Sequence, residues 1–288
     1  MPSAATLEAL VTLLDDPDAD VQSAVQDELA TYGPNELDAL RAHIRTLPAP
    51  TKERLYKRLR PLHFRMVKRA WHAIMGSPNP DLEQGAFVLA WYRYPDLDIP
   101  AQQELLDDMA RSFRERHPHV TGVDAALKLA EYMVYDLHFT GNRDDYQDPN
   151  NSFLNRVLKR RTGIPISLSV VYILLGNRLD LPLYGVNMPK HFVAKYMTDD
   201  EELFIDMFND GQPMSRTDCI RFLLRADVQP LQGYFDAATP TDVLLRMVRN
   251  LLVWAHRTDN AAVGEELKQL AAPWDPSIDV NDVSGYDG

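Results

Sequence analysis

The sequence predicts an α+β protein, a small antiparallel sheet set between helical segments at both ends of the chain. Apolar residues recur at helical spacing through the first part of the chain and again between Val243 and Leu270. Between them lie three short strand-like runs, Leu183–Val186, Phe192–Tyr196 and Leu203–Ile205, with alternation in FVAKY. The polar stretch Thr198-Asp199-Asp200-Glu201-Glu202 reads as the hairpin turn between the last two.

Taken in order, Leu7, Leu10, Val11, Leu13 and Leu14 form one helix face, which Asp15-Asp16-Pro17-Asp18 interrupts. Asp20 is placed to cap a second helix with Val21, Ala24, Val25 and Leu29 inward, and Leu37, Leu40 and Ile44 mark a third. The first pair resembles a HEAT-type repeat and defines a HEAT-like segment at 1–47, too short to bury a continuous core unaided. Pro48-Ala49-Pro50-Thr51 reads as a linker, followed by one basic amphipathic helix from Lys52 to Ile74. After the Gly76–Pro80 break, helices are expected from Asp81, over Gln102–Arg114 and over Gly122–Val134, so 52–135 is a helical region. Glu83 stands in an otherwise apolar helix, where an acid is either exposed or paired with an arginine. His117-Pro118-His119 lies in a loop with no third ligand in reach, so no metal is expected.

Asp136–Pro149, rich in Asp, Asn and Gly, lacks the closing Glu of a calcium loop and reads as a structured loop held by Asx-type turns. A helix at Phe153–Arg160 leads to the Gly163-Ile164-Pro165 turn. The run Ile166–Leu175 is too long for most strands and too short for a membrane span, which suits a buried helix entered through Pro165. Ser215 caps a short helix through Leu224 that contains Cys219, read as a small core residue. Thr239-Pro240-Thr241-Asp242 caps a long helix, Val243–His256, and Ala261–Leu270 forms another, a helical pair at 237–272. The tail, 273–288, is expected to be loose.

Composition narrows function. The 288 residues carry a net charge of −12, which argues against a nucleic-acid partner, and the basic run Arg156–Arg161 reads as a solvated helix face. The single cysteine excludes an intrachain disulfide and is compatible with a reducing compartment. No secretion signal and no span of eighteen apolar residues is seen, so the expectation is a cytoplasmic protein without a membrane partner.

Ser167 near the start of the buried helix, His191 at the head of the second strand-like run and Asp206 at the end of the third follow one another in triad order. With HFTGNRDDYQDPNNSFLNRVLKRRTGIPISLSVVY (138–172), NMPKHFVAKY (187–196), FIDMFNDG (204–211) and DLEQGAFVLAWYRYPDLD (81–98), the chain resembles the SirB-type branch of the transglutaminase-like superfamily. The resemblance implies a transglutaminase-like, papain-like cysteine-protease-type core at 136–236, with Ser167 where active members carry Cys and a partial tetratricopeptide-like character in the C-terminal pair. It further implies site-wall roles for Glu83, Asn142, Asn151 and Pro165, and no cofactor. A serine hydroxyl stays protonated and needs His to take its proton, so a site shaped for a thiolate–imidazolium pair loses its nucleophile when Ser replaces Cys. The expected function is a pseudoenzyme or binding module for a protein or peptide; the alternative is a serine-dependent amidase or peptidase, for which Ser169 is a second candidate nucleophile.

Overall fold

In the computed structural model, residues 3–32 and 34–278 are described. Helices dominate the N-terminal third: α1 (Ala4–Leu14), α2 (Ala19–Ala30), α3 (Pro34–Arg45), α4 (Ala49–Arg58) and α5 (Arg60–Met75). Then come α6 (Leu82–Arg93), α7 (Ile99–Arg116) and α8 (Gly122–Glu131), the last running into a single π-helical turn at Tyr132–Asp136. The chain divides into two compact units, residues 3–71 with 91–97, and residues 72–90 with 98–278.

In the first unit, Leu7, Leu14, Leu29, Leu40, Ile44, Leu55 and Leu62 share one apolar core. That core spans both sides of the expected boundary at 47, so Pro48–Thr51 is no linker. Pro48 caps α4 and Pro50 stands in its first turn, where a missing N–H is tolerated. The helix expected from Lys52 to Ile74 is two: Leu59 closes α4, and Pro61 follows at the second position of α5. The cap of α2 is Asp18, whose Oδ1 accepts from the Asp20 N–H at 2.8 Å, rather than Asp20 itself. His63 is buried in this unit, its Nε2 2.9 Å from the Trp91 carbonyl and its ring edge-on to the Trp91 indole.

The second unit is built round α10 (Pro165–Arg178), in which every residue from Pro165 to Gly176 is buried. A helix apolar on all sides must be covered on all sides. The cover comes from α7, α8, α9 (Leu154–Arg160), α12 (Pro240–Arg257) and the strands β3 (Leu183–Val186) and β4 (Val193–Met197). Gly176 lets β3 approach, since a Cβ there would run into the Leu183 side chain. With β5 (Glu202–Asp206) and β6 (Gln212–Met214), these strands form an antiparallel sheet in the order β3-β4-β5-β6. Its fourth strand, and the two-residue parallel pairing of β1 (Thr140–Gly141) with β2 (Thr162–Gly163), go beyond the three expected strands.

Ser215 and Thr239 cap α11 (Arg216–Arg225) and α12 as expected, and the structure adds the reciprocal bonds of capping boxes with Asp218 and Asp242. Beyond α13 (Ala261–Ala271) the chain stays packed rather than loose through Ile278: Trp274 stacks edge-on to His72, Asp275 pairs with Arg249, and Ile278 is buried. The rest of the expected loose tail, 279–288, lies outside the described residues. Among the described residues no helix is long and apolar enough to cross a membrane.

Candidate functional site

His191 and Asp206 meet at one end of the sheet. Ala194 stands opposite Ile205 in the β4–β5 ladder, so the turn leading into β4 and the last residue of β5 lie side by side. There His191 Nε2 is 2.7 Å from Asp206 Oδ2, and both side chains are buried. Asp206 also caps the following 3-10 turn: Oδ1 accepts the Phe208 and Asn209 N–H groups, and Oδ2 accepts Asn209 Nδ2 at 2.8 Å. Burial alone would raise the Asp206 carboxyl, but the hydrogen bond and charge of His191, with the Asn209 donors, outweigh it and hold it below the usual carboxylate range. An ionised Asp206 only accepts, so Nε2 carries the proton and Nδ1 is left without a hydrogen-bond partner among the described residues. The Phe222 ring packs over the imidazole at 5.1 Å between centroids.

Ser167 is turned away from this pair. It is 0% exposed, and its Oγ donates to the Asn151 carbonyl at 2.5 Å, with the Ile164 carbonyl also within 3.1 Å. The same oxygen accepts the Ile164 N–H at 3.1 Å. This is half a capping box: the third residue of the helix reaches back to the cap N–H, while Ile164 has no side-chain acceptor to answer with. Asn142 and Asn151 serve the loop behind. Asn151 is wholly buried and donates to the carbonyls of Asp145 and Tyr146, while its Oδ1 accepts Asn142 Nδ2 at 3.0 Å. Asn142 Oδ1 in turn accepts the Asp145 N–H, an Asx-type turn of the expected kind.

His191 borders a cleft that Pro165 also lines, together with Ile164 and Ile166 from the start of α10. Ser167, Asn142 and Asn151 are not among its lining residues. The opposite wall comes from α12, with Arg246, Asn250, Val253 and Trp254, and the rim from Tyr146–Pro149, Ser152 and Lys190. Arg246 is buried and donates to Asn187 Oδ1 at 2.6 Å. Burial pushes the Asp148 carboxyl up, but hydrogen bonds from Asn150 and Arg160 prevail and hold it below the usual range. Lys190 is exposed, forms no ion pair among the described residues, and holds a left-handed backbone with φ 63°.

The remaining candidates lie elsewhere. Glu83 is paired with Arg178, Oε2 to Nη1 at 2.6 Å, and lines a separate cavity with Asn177, Tyr184 and Pro240. Ser169 is wholly buried, and its hydroxyl has no hydrogen-bond partner among the described residues. Cys219 is buried beneath the sheet, and burial pushes its thiol up to about 12. Of the basic run, Arg160 pairs with Asp148 and Arg161 lies over the Phe139 ring. Among the described residues no group of three or more His, Cys, Asp or Glu could hold a metal ion. Sequence reasoning missed Lys190, Ser152 and Arg246; for Arg246 a signal existed, a lone cation inside the apolar run Val243–Val248.

No solved structure matches the chain. A UPF0162 protein of Xylella fastidiosa (strain 9a5c) is 35% identical over 194 residues, covering 62% of this chain and 66% of that protein. F-box only protein 21 is 33% identical over 181 residues in Mus musculus and 32% over 200 residues in Homo sapiens, covering 54% and 59% of this chain. The chain thus spans about two thirds of its UPF0162 relative, and the matches cover only 28% and 31% of the two F-box proteins. Residues 101–249, which include α10, the four-stranded sheet and the His191–Asp206 pair, match the model of the transglutaminase-like superfamily, and the chain belongs to that superfamily.

Proposed function

We propose that this chain is a SirB-type transglutaminase-like pseudoenzyme, a binding module for a peptide or amide-bearing protein partner, with Ser167 at the position of the family's Cys. One observation carries the reading. The hydroxyl that triad order nominates is sealed, its proton on the Asn151 carbonyl, while His191 and Asp206 border a cleft. The start of α10 offers that cleft only Ile164, Pro165 and Ile166, none of them a nucleophile. The match to part of the much longer F-box only protein 21 supports a domain that serves within different chains. In this reading the protein works in the cytoplasm, and its HEAT-like and tetratricopeptide-like helices present it to partners.

The test has two halves. Peptide and ester libraries incubated with the full chain should show no turnover by mass spectrometry, whereas some peptides should bind and be weakened by His191→Ala. In a Cys219→Ser background, Ser167→Cys should give a buried thiol that alkylates with no midpoint below about 8.5. Turnover abolished by Ser167→Ala would replace this reading with a serine amidase or peptidase.

A further inference from the structure

We infer that the cleft beside His191 recognises a carboxylate on a peptide. The inference rests on the peptide-binding reading above and names the chemistry of its ligand. In a chain of net charge −12, this cleft gathers two cations, Lys190 on the rim and Arg246 in the wall, with the His191 ring beside them. Two of its polar groups have no hydrogen-bond partner among the described residues, the Ser152 hydroxyl and His191 Nδ1. The Lys190 ammonium has no counter-ion there either. The acid facing the cleft, Asp148, is already matched by Arg160 at 2.5 Å and withdraws little of this positive character. The Tyr146 hydroxyl stays neutral, its ionisation disfavoured by burial. At the start of α10, the cleft-lining Ile166 brings a first-turn N–H that no side chain caps, so the positive helix end adds to the same field.

The cleft is also two-faced. Ile166, Val253 and Trp254 supply an apolar side on which aliphatic peptide atoms can lie. The backbone of Lys190 adds to this: a lysine in the left-handed region is held there at a cost, and such strain gathers at binding sites. A carboxylate satisfies two of these open groups at once, accepting from the Lys190 ammonium and from the Ser152 hydroxyl beside the His191 ring. Its source is either a chain terminus or an Asp or Glu side chain.

The experiment measures binding of short N-acetylated peptides to the full chain by fluorescence polarisation, each peptide made as free acid and as C-terminal amide. The best binders are then remade with each Asp or Glu changed to Asn or Gln. One of these neutral replacements should weaken binding about tenfold, and which one does so identifies the source of the carboxylate. Lys190→Gln, at an exposed position, should weaken the free acid similarly and flatten its salt dependence. Peptides that bind equally well as amides and with all acids neutralised would overturn this inference while sparing the peptide-binding reading. So would an unchanged affinity in Lys190→Gln. If no peptide binds in either form, the peptide-binding reading fails, and this inference with it.

Discussion

Each unit of this protein buries a histidine against an oxygen, and the two oxygens make different residues of them. His63 meets the Trp91 carbonyl at 2.9 Å, and His191 meets the Asp206 carboxylate at 2.7 Å. A carbonyl can accept a hydrogen bond but cannot balance a charge. Desolvation therefore dominates at His63 and pushes its pKa down to about 4, only partly opposed by its backbone hydrogen bonds. Asp206 supplies a counter-charge, and the His191 bond in return helps to hold that carboxyl low. The lesson is that a buried histidine against a carbonyl is neutral filler, whereas one against a carboxylate is a donor that helps keep the acid ionised. The second kind is the one that borders a cleft.

The comparison breaks most visibly at Asp206. Replacement by Ala strands His191, the Phe208 and Asn209 amides and the Asn209 side chain together, and should cost about 3–5 kcal/mol in urea unfolding. A loss below 1 kcal/mol would mean that these donors are satisfied without the carboxylate.

The next effect belongs to His63. Its folded pKa lies below the unfolded value of about 6.5, so its contribution is fully present above that value and is lost as pH falls through about 4. The first unit should therefore lose about 3 kcal/mol over that window. His63→Gln, whose amide can still donate to the Trp91 carbonyl, should lose less over the same range. Denaturant midpoints of both chains at each pH isolate the term, and parallel curves would refute it. Asp206 acts lower still. Its depressed pKa means stability present above the usual carboxylate range and lost as pH falls below about 4.

Which parts were legible follows from the physics of each element. His191 and Asp206 could be paired in advance, because a tight hairpin returns both residues to the same end of a sheet. Ser167 could not be oriented. Successive helical residues turn by about 100°, so Ser167 points nearly opposite Pro165. A helix apolar on every side carries no periodicity from which to read its phase. β1 and β2 have two residues each, too few for alternation to show, and β6 holds Pro213, which argues against a strand unless it lies at an edge, as it does. The break between α4 and α5 was signalled by Pro61 and overridden by the apolar spacing on either side.

The smallest effect sharpens the contrast at the cleft. Lys190→Gly removes the left-handed strain and should raise stability by about 0.5–1 kcal/mol, less whatever flexibility glycine adds to the unfolded chain. Ligand affinity should fall in the same variant. A fall in stability would show that the left-handed backbone holds no strain that glycine relieves, and an unchanged affinity would show that the lysine side chain does not serve the cleft.

The complete enclosure of α10 reaches into the time domain. Its amides from Leu168 to Gly176 have no solvated face from which a local fluctuation could begin. Exchange with deuterated water at those positions must wait for the second unit to open as a whole, so their rates report its global unfolding free energy. The rim at Tyr146–Asp148, Ser152 and Lys190 sits at the start of the same helix, yet is free to exchange through small local openings. A ligand that slowed the rim amides while leaving the α10 amides at the rate set by its own binding free energy would mark the cleft by kinetics alone.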